Sequence, residues 1–260
     1  MVLWGILKMA YERAKIQQIR PNVWLIDDAG ESTCYLITGG EKALLVDTAN
    51  GYEDLAEIVR SLTDLPVTVV NTHGHGDHIF GNAFFDEAWM HPADFALHDM
   101  FAGYAKEHLE KYGLRLCPLK PLAIGQVFDL GGVELTVVDL KGHTEGSIGL
   151  LDRAGRILYT GDGLNTHLWM QLDHSLPISV LLETLRTLER EHGADFDYIA
   201  HGHAKELRGR EVLDWMIAGC EDILAGRTEN DQPYEYFGGV CRQHPISDVP
   251  GEVIVYHEGQ

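Results

Sequence analysis

Apolar residues in the first part of the chain come in short runs: Val23-Trp24-Leu25-Ile26, Cys34-Tyr35-Leu36-Ile37 and Ala43-Leu44-Leu45-Val46, with Asp, Gly and Ser between them. Runs of this length bounded by turn formers predict strands, here a meander. Over 53–62 the spacing changes, because Leu55, Ile58, Val59 and Leu62 fall on one helical face and the segment stops before Pro66. Val67-Thr68-Val69-Val70 then predicts a buried strand. Between Pro92 and Pro121 the aromatic residues Phe95, Phe101, Tyr104 and Tyr112 alternate with charges and with Gly103 and Gly113, which predicts short helices and loop.

The second half repeats the scheme. Strands are expected near 127–130, 133–140 and 156–160, then a helix over 178–192 stopped by Gly193, then a strand at Tyr198-Ile199-Ala200. Two halves of strands followed by a helix predict an internally duplicated α/β sandwich within one domain spanning 1–260. A last helix over 211–224 and a strand at 253–256 are all that 205–260 offers on this reading, and no low-complexity linker interrupts the chain.

Composition narrows the picture. The 260 residues are enough for one large core, so a small-domain staple is unnecessary. The four cysteines, Cys34, Cys117, Cys220 and Cys241, form no C-x-x-C pair, which argues against a disulfide framework or a cysteine metal site. The opening MVLWGILKMAYERAK lacks the basic start and small-residue cleavage site of a secretion signal, and no apolar stretch is long enough to span a membrane. The expectation is a cytoplasmic chain. A net charge of −20 opposes nucleic acid and other polyanions at long range, which leaves a small molecule as the expected partner and says nothing of oligomeric state.

The densest chemistry is His73-Gly74-His75-Gly76-Asp77-His78, directly after the strand at 67–70. Imidazole and carboxylate are zinc ligands, and the glycines let the backbone turn tightly enough for alternate side chains to converge. A His-rich surface turn is the plain alternative. Three further candidates share a position: His143, Asp162 and His201 each follow a predicted strand, and residues just past strand carboxyl ends gather along one edge of an α/β sheet.

Taken together, Asp47 in LLVDT, the THGHGDH run, GHTEGS around His143, LYTGD ending at Asp162 and AHGH containing His201 resemble the motifs of the metallo-β-lactamase superfamily, over about 23–203. The resemblance implies a four-layer αβ/βα sandwich of two facing mixed sheets with a binuclear metal site at one edge. It implies that His73, His75 and His143 bind one ion, that Asp77, His78 and His201 bind the other, and that Asp162 bridges them. Asp47 matches a position that orients ligands by hydrogen bonds, although capping a turn would also explain a strand-end aspartate. Two zinc ions per chain are expected, with manganese or iron compatible with the same donors. Glu145 stands where many relatives have proline, and a solvated loop carboxylate is the simpler account of it.

Nine of the fourteen histidines lie outside this set. His167, Trp169 and His174 follow Asp162 closely and could line a substrate pocket, as could His203 beside His201; each also suits packing or a turn. Met170, Phe95, Phe101 and Tyr104 would serve equally as pocket wall or core.

Two dications lower the pKa of a shared water toward neutrality and polarise the oxygen under attack, so no serine or cysteine nucleophile is needed, while Asp77 is placed to take a proton or orient the water. Within the superfamily an intact Asp162 argues against lactam hydrolysis. The compact acidic chain argues against nucleic-acid cleavage, and 205–260 lacks the long helical tail of hydroxyacylglutathione hydrolases. The expectation is hydrolysis of an ester-type bond in a small molecule, lactone or carboxylic ester first, with phosphodiesterase, thioesterase or a mononuclear iron persulfide dioxygenase as alternatives. A non-enzymatic metal-binding module is disfavoured because every ligand position is filled.

Overall fold

The computed structural model describes residues 13–258. The reading of the first fifteen residues therefore falls almost wholly outside the described residues. β1 (Ala14–Arg20) precedes the meander of β2 (Val23–Asp28), β3 (Ser32–Thr38) and β4 (Ala43–Val46). It was not legible because it is an edge strand whose side chains are mostly solvated, so AKIQQIR carries no apolar run. Helix α1 (Leu55–Leu62) begins where the Asp54 carboxylate accepts from Glu57 N at 2.9 Å, and it buries Leu55, Ala56, Ile58 and Val59. The chain then returns as β5 (Val67–Val70), parallel to β4.

One turn of helix, α2 (Gly76–Ile79), and β6 (Ala88–Met90) lead to α3 (Phe95–Lys111). Short helices and loop were expected there, and the structure has one continuous helix of 17 residues. Its only buried residue is His98, so no apolar stripe betrays it in the sequence. β7 (Leu119–Pro121) completes a seven-stranded sheet in the order β1-β2-β3-β4-β5-β6-β7.

The second half contains β8 (Val127–Asp129), β9 (Glu134–Asp139), β10 (Ile148–Asp152), β11 (Ile157–Gly161), β12 (His167–Trp169), α4 (Ile178–His192), β13 (Tyr198–His201), β14 (Arg208–Gly209), α5 (Glu211–Leu224), β15 (Gln232–Tyr236), β16 (Gly239–Pro245) and β17 (Val253–Tyr256). Six of these strands form a sheet in the order β14-β13-β11-β10-β9-β8. A third sheet, β12-β17-β16-β15, was not anticipated, and it corrects the reading of 205–260 as one helix and one strand. Pro233 within β15 masks that strand in the sequence; proline is tolerated there because β15 is an edge.

Strand periodicity explains the layering. Leu44 and Val46 pack with Val137, Leu150 and Tyr159 in a core between the two large sheets, whereas Leu45 and its neighbours on the opposite face pack against α1. The outer face of the second sheet carries Leu151, Leu158 and Ile199, which pack with residues of α4 and α5. Strands buried on both faces read as continuous apolar runs, and the result is the expected four-layer αβ/βα sandwich. All four cysteines are buried thiols. No helix among the described residues is long and apolar enough to cross a membrane.

Candidate metal centre

The turn after β5 brings three nitrogens together. Nε2 of His73 lies 3.0 Å from Nδ1 of His75, which lies 2.9 Å from Nε2 of His143. Imidazoles converge this way only if their other nitrogens carry the protons, and hydrogen bonds arrange that. His143 Nδ1 donates to the Trp169 carbonyl at 2.6 Å. His73 Nδ1 lies 3.0 Å from the Thr72 hydroxyl, which itself donates to Asp47 Oδ2 at 2.8 Å. On the far side of His75, Nε2 meets Nε2 of His174.

Asp47 controls a second histidine as well. Its Oδ2 accepts from His78 Nδ1 at 2.8 Å and its Oδ1 accepts from Thr72 N at 2.7 Å. His78 Nε2 is thereby aimed inward, where it is buried with no hydrogen-bond partner. Asp47 itself has φ of +59°, a conformation that non-glycine residues seldom adopt.

Asp162, just past β11, lies between the two halves of the cluster. Its Oδ2 is 3.7 Å from His78 Nε2, 3.9 Å from His143 Nε2 and 3.1 Å from His203 Nε2, and its Oδ1 is buried without a partner. The donors form three overlapping groups: His73 with His75 and His143, His73 with His78 and Asp162, and Asp77 with His78 and His203. Asp77 and His203 are the outermost of these, the side chain of each more than a third exposed, with Asp77 Oδ2 3.6 Å from His203 Nε2.

His201 does not join any of these groups, contrary to expectation, and His203 stands in its place. His201 is still within β13; its Nδ1 accepts from His203 N at 3.3 Å and its carbonyl accepts from the Tyr35 hydroxyl at 2.8 Å. His203, two residues past the strand, donates from Nδ1 to the Glu31 carbonyl at 2.6 Å and turns Nε2 to the cluster. The position past the strand end had singled out His201 together with His143 and Asp162 because the strand was expected to end at Ala200; β13 runs on through His201, and His203 is the histidine that lies past its end. Gly202 between the two histidines is required by contact: a Cβ there would lie 2.3 Å from His78 Cε1 and 2.8 Å from Asp162 Oδ1.

The charge pattern has two parts. Burial, with repulsion among neighbouring rings, holds His73 and His75 well below the ordinary histidine range, and burial also lowers His143. At the other end burial opposes ionisation, yet Asp77 and Asp162 hold His78 well above that range, and Asp162 lifts His203 to about 9. Asp162 stays well below the usual carboxylate range despite its burial because His203 and His78 face it.

Asp94 was missed. Its buried carboxylate accepts from Gly74 N at 2.9 Å, the Thr144 hydroxyl at 2.7 Å and Gly146 N at 2.7 Å, tying the His73–His78 turn to the turn that carries His143. Preceding α3, it has the sequence position of a helix cap, but its side chain makes no capping bond. Gly146 is needed beside it, since a Cβ would lie 2.6 Å from Asp94 Oδ1. Of the other candidates, His167 bonds the Gly251 carbonyl and the Tyr234 hydroxyl in the third sheet, Met170 is core beneath α4, Phe101 stacks edge-on to His75 with centroids 5.5 Å apart, and Glu145 is exposed.

Two facing sheets with helices outside and a histidine and aspartate cluster at their shared edge make a recognisable class. The sequence profile of the metallo-beta-lactamase superfamily matches residues 27–203, and the chain belongs to that superfamily. It is 26% identical over 226 residues to the lactamase-like protein ptaB of Pestalotiopsis fici, covering 77% of this chain and 66% of that protein. It is 29% identical over 164 residues to the acyl-coenzyme A thioesterase MBLAC2 of Gallus gallus, covering 52% and 58% respectively. It is 26% identical over 198 residues to the atrochrysone carboxyl ACP thioesterase AacuM of Aspergillus aculeatus, covering 72% and 58%. The chain thus spans 58% to 66% of the length of these curated relatives. Among solved structures, a metallo-beta-lactamase from Pontibacter korlensis shares the fold with a TM-score of 0.62 at 18% identity, over 80% of this chain and 99% of that one. A metallo-beta-lactamase family protein from Thermus thermophilus does so with a TM-score of 0.60 at 21% identity, over 83% and 85%.

Proposed function

We propose that this chain hydrolyses an ester-type bond of a small molecule with two divalent metal ions, zinc foremost and manganese or iron compatible. The observation that carries the reading is Asp162, whose buried Oδ1 and whose neighbour His78 Nε2 are both without hydrogen-bond partners. Orphaned polar atoms of this kind are costly in a folded protein, and a cation between them removes the cost. On this reading His73, His75 and His143 hold one ion, Asp77, His78 and His203 the other, and Asp162 both. When bound, the pair supplies an ionised water at neutral pH and polarises the oxygen under attack.

The chain's own residues do the positioning. Asp47 sets the tautomers of His78 and, through Thr72, of His73; Asp94 holds the two ligand-bearing turns at a fixed separation. Asp77, exposed enough to reach substrate, is the group to orient the water or take its proton, at the carboxylate oxygen other than the Oδ2 that faces His78 and His203. Among ester-type bonds, the thioesterases named among the relatives move acyl thioesters ahead of the lactones favoured by sequence alone. The net charge of −20 still disfavours polyanions.

Asp162→Ala tests the reading. Hydrolysis of a panel of thioesters, esters and lactones should fall by more than about a hundredfold, and metal content should drop from two ions per chain with the melting curve still cooperative. Near-normal turnover would remove Asp162 from the mechanism. A single iron with oxygen uptake in the unmodified protein would replace hydrolysis with the dioxygenase reading.

A further inference from the structure

The hairpin β15–β16 lies beyond residue 203, where the superfamily match ends, and it carries a cluster of aromatic rings on the third sheet. Phe237, at its tip, is 86% exposed, and Val240 beside it is 63% exposed. Trp169 on β12 stands beneath them, its ring centroid 5.8 Å from Phe237, 6.4 Å from Tyr236 and 6.2 Å from Tyr234. The same residue borders the metal centre, because its carbonyl accepts the His143 Nδ1 proton. The loop after β12 returns to the centre again, placing the His174 ring 4.6 Å from that of His75. On another side of His75 are Phe101 and, 5.9 Å from Phe101, the exposed Tyr104.

The polar atoms of this cluster are already engaged. The Tyr234 hydroxyl pairs with Trp169 Nε1 and with His167 Nε2, each at 3.1 Å, and the Tyr236 hydroxyl pairs with His257 Nε2 at 3.0 Å. What remains to face a ligand is ring surface. Rigid aromatic side chains offer large apolar area at little entropic cost, and leaving them in water beside a reaction centre is otherwise unfavourable.

We infer that Phe237, Tyr236 and Trp169 form the binding surface for the apolar acyl group of the substrate, whose scissile carbonyl lies at the metal centre. The inference rests on the hydrolase reading above. Trp169 commits the surface to substrate, since a single residue serves both the aromatic cluster and a ligand histidine.

The test is an acyl-length series of N-acetylcysteamine thioesters, acetyl to decanoyl, with the unmodified chain, Phe237→Ala and Phe237→Trp. The decanoyl-to-acetyl ratio of kcat/KM should fall roughly tenfold in Phe237→Ala, mainly through KM, and be retained in Phe237→Trp. A ratio within about twofold of the original in Phe237→Ala overturns the inference and leaves the hydrolase reading intact. If no thioester or ester is cleaved at all, the hydrolase reading fails, and calorimetric titration with decanoate still decides the surface: weaker binding by Phe237→Ala supports it, equal binding removes it. Light scattering that shows a dimer becoming a monomer in Phe237→Ala assigns the rings to a subunit interface and also overturns the inference.

Discussion

The turn of His73 to His78 and the hairpin of β15 and β16 represent opposite ways of making a functional surface. In the turn, each imidazole has one nitrogen assigned by a named partner, and two carboxylates, Asp47 and Asp94, hold the backbone from outside the cluster. In the hairpin, rings meet at centroid distances near 6 Å and the small apolar cluster beneath them holds only Cys241, Val253 and Val255 as buried members. Chemistry on a bond needs atoms placed to fractions of an ångström, whereas an apolar chain needs only area and a boundary. Substitutions in the turn should therefore act together, and substitutions in the hairpin should act singly.

The sharpest cut through that comparison is between His203 and His201, two residues apart. His203→Ala should lose about one of two metal ions per chain and lower turnover by more than about a hundredfold, while His201→Ala should keep both ions. Metal analysis of the two purified variants decides it, and the reverse pattern would return the ligand role to His201. Next in size is Asp94→Ala, which strands Gly74 N, Thr144 Oγ1 and Gly146 N. Stability in urea should fall by about 2–4 kcal/mol and metal affinity by about 10- to 100-fold; a variant with full stability and normal zinc uptake would show that the two turns hold their separation without it.

The smallest effect concerns pH in chelator-treated protein. Burial holds His201 down at about 4, and burial acts in the same direction on His73, His75 and His143. The unfolded chain takes up these protons near pH 6.5 and the folded chain cannot, so stability falls as pH drops from about 6.5 toward 4. His203, raised to about 9, acts oppositely, its contribution being complete below about 6.5 and lost as pH rises through 9. A melting temperature that stays flat or rises between pH 7 and pH 5 would show that the buried imidazoles accept protons in the folded state.

The sequence was most legible where chemistry is local. His73, His75, Asp77 and His78 sit within six positions, and the runs that became β2, β3, β4 and β5 are short and continuous because both faces of that sheet are buried. Asp94 was illegible because its partners lie 20, 50 and 52 positions away, and a single aspartate before a helix already has an ordinary local explanation. His201 and His203 are indistinguishable as letters, and only the end of β13 separates them. The third sheet was hidden for a different reason: β12 has three residues, β15 and β16 carry Gln, Glu and Arg at exposed or half-buried positions, and one of the inward positions of β16 is the polar His244. β12 pairs only with β17, His167 opposite Val253, and a strand whose partner lies that far along the chain declares itself by neither period nor punctuation.

The hydrogen bond from the Tyr35 hydroxyl to the His201 carbonyl joins positions 166 residues apart, and Thr33 Oγ1 reaches the Ala204 carbonyl across 171. Contacts of such separation carry a large loop-closure cost, and they are expected among the late events of folding. The histidine-rich turn emerges from the ribosome long before Asp162 and His203 do, and throughout that interval the candidate metal centre lacks two of its donors. The expected order of assembly therefore places the docking of β3 on the turn after β13 at the end. A pulse-labelling hydrogen-exchange experiment would find the amides of Thr33 and His203 among the last to gain protection.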